Sequence, residues 1–396
     1  MDGHPEISGS QVSGQKRKAT LLLADGSLFV GDAFGAESCA VGEVVFNTGM
    51  VGYPESMTDP SYAGQMLCFT FPLIGNYGVP AERDAFGLPL HLESDSIKTS
   101  GVMVQEACDL PSHWSSRRSL HDWMASEGVP GISGMDTRAL VMKIRERGVM
   151  AGALSTDGRD AAELRELLAA SRSYGSMSFL REVSVGKPVV YGSSDRTVVL
   201  IDCGVKLGIV RNLLERGFRV ARVPYFSGYS DVMSYDPAGV VVSNGPGDPA
   251  LCAEPTACAG RLVDSDVPVL GICLGEQIVA ASQGARTFKL KYGHRGQNKP
   301  CVDVTTGRGY VTSQNHGYAV DRDSMDGTGL LPWFVNADDG TVEGFYHESR
   351  PCIGVQFHPE ASPGPYDAGF VFDRFAAMMD SRGEEVAGET IRRMKR

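Results

Sequence analysis

The sequence predicts an α/β protein of two domains, the second built on a mostly parallel sheet, and three observations carry that expectation. Length is one: 396 residues suit two or three domains of roughly 100–200 residues each. Rhythm is another: beyond residue 197, short apolar runs alternate with helical stretches, the pattern of parallel strands covered on both faces. Composition is the third, since 42% hydrophobic and 21% charged residues with a mean hydropathy of −0.12 predict a soluble globular chain. No apolar run approaches the roughly 20 residues of a spanning helix.

Residues 1–18 are polar, end in Lys16, Arg17 and Lys18, and lack the apolar centre of a signal peptide. Asp2 and Glu6 beside a single arginine also speak against a mitochondrial presequence, so a disordered leader on a cytoplasmic enzyme is expected. Residues 19–160 form the first, mixed α/β domain. Leu21, Leu22 and Leu23 precede Asp25-Gly26, a hairpin-type turn, and Leu28, Phe29 and Val30 follow it. Strand-like runs at 44–46 and 66–71 come next, then a helical pattern over 138–147 behind the cap Asp136-Thr137.

Residues 161–196 read as a connector, an Ala/Leu/Glu helix over 159–170 and then a stretch rich in Ser and Gly. The second domain, 197–385, follows. Its predicted strands lie at 198–201, 220–223, 239–242 and 267–272, and its predicted helices at 207–215, 255–263 and 274–283. Residues 386–396 are charged, a tail or the start of a linker.

A net charge of −11 and a pI near 5.3 argue against nucleic acid or an anionic membrane as partner, because both need clustered positive charge. The nine cysteines include no C-x-x-C pair, which favours a reducing compartment over a disulfide framework and leaves any one of them free to be a nucleophile. Glycine is in excess, 48 residues, without a triplet repeat, so turns and close backbone approaches are expected.

Three segments carry chemistry. Gly271-Ile272-Cys273-Leu274-Gly275 stands where a buried strand hands over to a helix, the G-x-C-x-G form of a nucleophile elbow. Its thiol would sit at a helix N-terminus that favours the thiolate; the plain alternative is a buried structural cysteine. Ser243-Asn244-Gly245-Pro246-Gly247-Asp248-Pro249 offers backbone N–H groups suited to an oxyanion, or is an ordinary Gly/Pro turn. In Phe357-His358-Pro359-Glu360, an extended backbone would let Glu360 steady the His358 imidazole, unless the two are simply a surface pair. The chain has no G-x-x-x-x-G-K-[ST] phosphate loop, no H-E-x-x-H and no paired-cysteine site, so no metal is expected.

Taken together and in this order, S-N-G-P-G-D-P, G-I-C-L-G-E-Q and F-H-P-E resemble class I (triad-type) glutamine amidotransferases across residues 197–385. The first domain narrows the resemblance. The stretch from Gly42 to Tyr53, Thr58-Asp59-Pro60-Ser61-Tyr62 and Pro72 to Gly78 are similar to the N-terminal domain of the glutaminase (small) subunit of carbamoyl-phosphate synthetases. Asp136-Thr137-Arg138 and Lys291 to Asn298 extend the match. Several stretches are closer in wording to eukaryotic multifunctional forms, which suits either a separate subunit or a region of a longer polypeptide.

The resemblance implies Cys273 as nucleophile on the glutamine amide, His358 as acid/base and Glu360 as its orienting partner. It implies glutamine binding by Ser61, Gly245, Gly247, Leu274, Gln277, Asn315, Gly317 and Tyr318, with Gly245 and Leu274 giving oxyanion amides. Glu276 departs from the histidine more often found there, and His316 invites a catalytic reading that the family gives to His358. The implied partner is a synthetase large subunit, or fused synthetase domains, holding ATP and Mg and making carbamoyl phosphate for pyrimidine or arginine synthesis. No cofactor is implied in this chain. A silent regulatory subunit and a free-standing amide hydrolase are the rival functions; an intact triad opposes the first, and the first domain's motifs oppose the second.

Overall fold

The computed structural model describes residues 17–380. The expected leader, up to residue 16, and the expected tail lie outside the described residues, and Lys18 already belongs to the first strand. The first domain is a closed barrel, in the order Lys18–Leu23, Leu28–Gly35, Pro130–Ser133, Gly101–Met103, Gln65–Phe69, Cys39–Asn47 and Met150–Ser155, the last pairing back on the first. Asp25-Gly26 makes the hairpin turn between the first two strands, with the Gly26 N–H on the Leu23 carbonyl.

Successive side chains on these strands go to different apolar clusters. Val44, Phe46, Met66 and Cys68 pack with Leu140 and Ile144 of the helix Thr137–Arg147. Val45, Leu67 and Phe69 pack with Trp123 and Met124 of the helix Leu120–Ser126. This period of two is what a strand buried on both faces requires.

The second domain is a ten-stranded sheet. Its parallel centre runs Arg219–Pro224, Thr197–Asp202, Gly239–Val242, Val269–Ile272 and Cys352–Val355. Val198 and Leu200 face the helices Leu207–Glu215 and Phe370–Asp380, while Val199 and Ile201 face Ala253–Asp264 and Leu274–Ser282. An antiparallel extension, Val342–His347, Leu330–Asn336, Thr287–Asp303 and Gly309–Val320, continues the sheet beyond Cys352–Val355.

The segment 161–196 is shared between the domains. Its helix Ala161–Ala170 packs Leu164 against Leu22 and Ala153 of the barrel, and Val189–Tyr191 adds an edge strand to the second sheet. Two contacts hold the domains together: the half-buried Arg211 and Asp84 meet at 2.8 Å, and the buried Glu93 carboxylate accepts from the Gly208 N–H at 2.9 Å. All nine cysteines are free.

Candidate active site

Three neighbouring parallel strands end at one edge of the sheet, where loops of α/β sheets gather function. The strand Gly239–Val242 runs into the loop Ser243 to Pro249, Val269–Ile272 into Cys273, and Cys352–Val355 into the segment bearing His358. Gly271 and Gly354 are register partners, so Cys273 and His358 leave adjacent strands on the same side.

Cys273 sits between its strand and the helix Leu274–Ser282 at φ 54° and ψ −107°, a region that a side chain occupies only when its surroundings enforce it. The Cys273 N–H bonds to the Val355 carbonyl at 2.8 Å, and its own carbonyl accepts from the Gln277 N–H at 3.2 Å. The turn is tight enough to exclude a Cβ at Gly275, where one would stand 1.9 Å from the Val242 carbonyl oxygen. The Cys273 sulfur is buried, 3.7 Å from the Asn315 carbonyl.

His358 Nδ1 lies 2.7 Å from Glu360 Oε1. The contact is not made through extended backbone, as the sequence suggested. His358 to Ala361 form a turn, with the Ala361 N–H on the His358 carbonyl at 3.2 Å and Pro359 at its second position. Proline's fixed φ suits that position, and the turn folds Glu360 back onto the imidazole. His358 Nε2 is buried and has no hydrogen-bond partner among the described residues.

Lys206, which sequence reasoning missed, completes the group. Its Nζ lies 2.9 Å from Glu360 Oε1, and both side chains are buried. Burial alone would raise the Glu360 carboxyl, but the Lys206 and His358 charges bring it down to about 2. Burial alone would lower the His358 imidazole; the Glu360 carboxylate, opposed by Lys206 and aided by Cys273, carries it up to about 10. Nothing in the local sequence around Lys206 announces this role. It needs the pairing of Thr197–Asp202 with Gly239–Val242, and the bond from the Lys206 N–H to Asn244 Oδ1 at 3.1 Å.

Ser61, Gly245, Gly247, Leu274, Gln277, Asn315, Gly317 and Tyr318 all line one pocket with Cys273. His358 and Lys206 line an adjoining cavity, and Asn315 borders both. Leu274, as the first helical residue, presents one of the N–H groups that a helix start leaves without an intrahelical partner. Gly245 is confined: a Cβ there would stand 2.0 Å from the Cys203 carbonyl oxygen. Gln277 Nε2 donates to the Tyr318 carbonyl at 2.8 Å and to Gln356 Oε1 at 2.7 Å, so its placement is fixed by the strands around it.

The barrel domain closes the pocket. Ser61 Oγ accepts from Asn244 Nδ2 at 3.0 Å, and Asp59 accepts from the Ser61 N–H and from Asn315 Nδ2, each at 2.9 Å. Glu43 pairs with Lys289 at 2.7 Å, and Tyr174 of the connecting segment accepts from the Gly247 N–H at 3.2 Å. Both Glu43 and Lys289 face the pocket, so its wall carries charges of both signs.

His316 also borders the pocket, but its Nδ1 donates to the Tyr318 carbonyl at 2.8 Å and its Nε2 faces His294 at 3.2 Å. Glu276 is wholly buried; burial first and the Glu343 charge second push its carboxyl well above the usual range.

Residues 21–154 match the family model of the carbamoyl-phosphate synthase small chain, CPSase domain, and residues 199–378 match that of class-I glutamine amidotransferases. The carbamoyl phosphate synthase small chain of Pyrococcus furiosus is 48% identical, over 93% of this chain and 100% of its own. That of Pyrobaculum aerophilum is also 48% identical, over 91% of this chain and 100% of its own. The arginine-specific small chain of Chaetomium globosum is 48% identical, over 90% of this chain and 77% of its own.

Proposed function

The chain belongs to the carbamoyl-phosphate synthase small-chain family, and from that premise we propose that Cys273, His358 and Glu360 are its catalytic triad for glutamine hydrolysis. The activity is that of the glutaminase component of the synthase: glutamine becomes glutamate, and the ammonia goes to a synthetase large subunit that makes carbamoyl phosphate. The observation that carries the triad is the convergence of a strained elbow cysteine with a buried histidine whose free Nε2 is backed, at Nδ1, by Glu360 at 2.7 Å.

In this reading the Cys273 thiolate attacks the side-chain amide carbon of glutamine. The carbonyl π electrons move onto oxygen, and the N–H groups of Gly245 and Leu274 receive the oxyanion. As the tetrahedral intermediate collapses, the C–N bond breaks, His358 gives its proton to the departing nitrogen, and a thioester remains. His358, now neutral, takes a proton from water, which attacks the thioester; a second collapse releases glutamate and restores the thiolate. Ser61, Gly247, Gln277, Asn315, Gly317 and Tyr318 hold the substrate, and a wall bearing both Glu43 and Lys289 suits an amino acid that is itself a zwitterion.

None of these steps draws on a cofactor in this chain. ATP and Mg belong to the partner, either a separate large subunit or fused synthetase domains, and the site of action is the cytoplasm. Among the described residues no helix is long and apolar enough to cross a membrane.

The test is glutamate release by the full chain, with and without the synthetase partner. Cys273→Ser is expected to abolish release, and His358→Asn to lower it by about 10²–10⁴-fold. Turnover by Cys273→Ser at the parent rate would remove the nucleophile assignment. Equal rates with and without the partner would favour a free-standing hydrolase.

A further inference from the structure

Behind the wall of the glutamine pocket, three strands of the antiparallel extension bring together a group that the hydrolysis does not use. His294 comes from Thr287–Asp303, His316 from Gly309–Val320 and Glu343 from Val342–His347, and all three are buried. Their facing atoms form a small triangle. His294 Nδ1 lies 3.2 Å from His316 Nε2 and 3.2 Å from Glu343 Oε1, and His316 Nε2 lies 3.7 Å from Glu343 Oε1.

The other ring nitrogens decide the tautomers. His316 Nδ1 meets the Tyr318 carbonyl, which can only accept, at 2.8 Å, so it carries the proton. His294 Nε2 meets the Asp339 carboxylate at 2.9 Å and donates likewise. With both rings neutral, two lone pairs point at each other and at a carboxylate oxygen, with a further acceptor, Gln314 Oε1, 3.4 Å from His316 Nε2. Two donors answer them: Asn336 Nδ2, 3.0 Å from Glu343 Oε1 and 3.4 Å from His294 Nδ1, and the Thr341 hydroxyl, 3.4 Å from Glu343 Oε1. Glu343 Oε2 and both carboxylate oxygens of the buried Glu276 have no hydrogen-bond partner among the described residues. So many acceptors in a dry interior call for positive charge among them, which a bound cation would supply.

We propose that His294 Nδ1, His316 Nε2 and Glu343 Oε1 form a structural site for one divalent transition-metal ion of the Zn²⁺ class. A tetrahedral ion with bonds of roughly 2.0–2.1 Å sets its ligands about 3.3–3.4 Å apart, and the three edges bracket that spacing. Both histidines already have the outer partners that fix a metal-binding tautomer, a carboxylate on one and a backbone carbonyl on the other.

The ligands lie 22 and 49 residues from His294 on separate strands, which is why no metal motif was visible and none was expected from the sequence. The ion would clamp these strands beside Asn315 and Gly317, stiffening the pocket wall without touching the reacting atoms.

The test uses the full chain carrying Cys273→Ser, so that the elbow thiol cannot take the ion. The protein is stripped with chelator and titrated with Zn²⁺ or Co²⁺, and metal per chain is read by elemental analysis. One ion per chain is expected, with the visible Co²⁺ bands of tetrahedral nitrogen and oxygen ligation and a thermal midpoint that rises with free metal. His294→Ala and Glu343→Gln should lose the ion. Asp339→Asn alters only an outer partner and should weaken binding by about 10–100-fold in a folded protein. The proposal is overturned by absence of a stoichiometric ion, by thiolate-to-cobalt bands, or by unchanged affinity in Asp339→Asn.

Discussion

Glu360 Oε1 serves His358 Nδ1 at 2.7 Å and Lys206 Nζ at 2.9 Å, all three side chains being buried, so one oxygen sets the charge of two groups. The Glu360 carboxylate is a main reason the His358 imidazole reaches about 10, and neutralising it should bring that value down. If the protonated imidazole is the working acid, the alkaline limb of kcat/KM for Glu360→Gln moves to lower pH by about 1–3 units. A limb that stays in place would show that Glu360 does not tune His358. Lys206 acts in the opposite sense on His358 but holds Glu360 ionised. Lys206→Met therefore leaves a buried carboxylate with one partner, and the acid limb of the profile should rise as Glu360 protonates more readily. Stability follows the same signs. The His358 contribution is full below its ordinary 6.5 and is lost as pH climbs through about 10; that of Glu360 is full above its ordinary 4.5 and is lost as pH falls toward about 2.

The strand–elbow–helix unit over Val269–Ile272 and Leu274–Ser282 shows what an element can disclose before its structure is known. A run of apolar residues, two glycines around a cysteine and a helical pattern are all local, so the strand, the turn and the helix were legible within a residue or two. The helices Leu207–Glu215 and Thr137–Arg147 were legible for the same reason. Closure of the barrel and the antiparallel extension were not, because they depend on pairings such as Lys18–Leu23 with Met150–Ser155, far apart in the chain. At the elbow the packing makes a sharp demand. Gly275→Ala would drive a Cβ into the Val242 carbonyl of the neighbouring strand, and overpacking of that kind costs about 1–3 kcal/mol or more. A helical glycine without that constraint is Gly260, whose nearest contact for a Cβ is Ser282 at 3.6 Å. Thermal denaturation should therefore show Gly275→Ala melting well below the parent, with glutaminase activity lost, and Gly260→Ala melting at or slightly above it.

At the scale of the molecule, the proposed glutamine pocket belongs to neither domain. Of the first domain's contribution, the resemblance pointed to Ser61 alone; Asp59, Glu43 and the connecting segment's Tyr174 emerge only once the barrel is set against the sheet. Asp59 is the most informative of these. Its carboxylate takes the Ser61 N–H on one oxygen and Asn315 Nδ2, 256 residues away, on the other. Asn315 in turn presents its carbonyl 3.7 Å from the Cys273 sulfur, so the barrel helps to aim the strand that flanks the nucleophile. Asp59→Ala removes two hydrogen bonds to a charged group, each worth about 1.5–3 kcal/mol, and kcat/KM for glutamine should fall by at least about 10-fold, chiefly through KM. The Arg211–Asp84 pair joins the same two domains away from the pocket. Arg211→Ala should lower the thermal midpoint, because it takes the cation from a half-buried carboxylate, while leaving KM near the parent value. If the two variants instead lost stability together and affinity together, the barrel would be acting as a mere support, and its placement of Asp59 in the site would have no catalytic meaning.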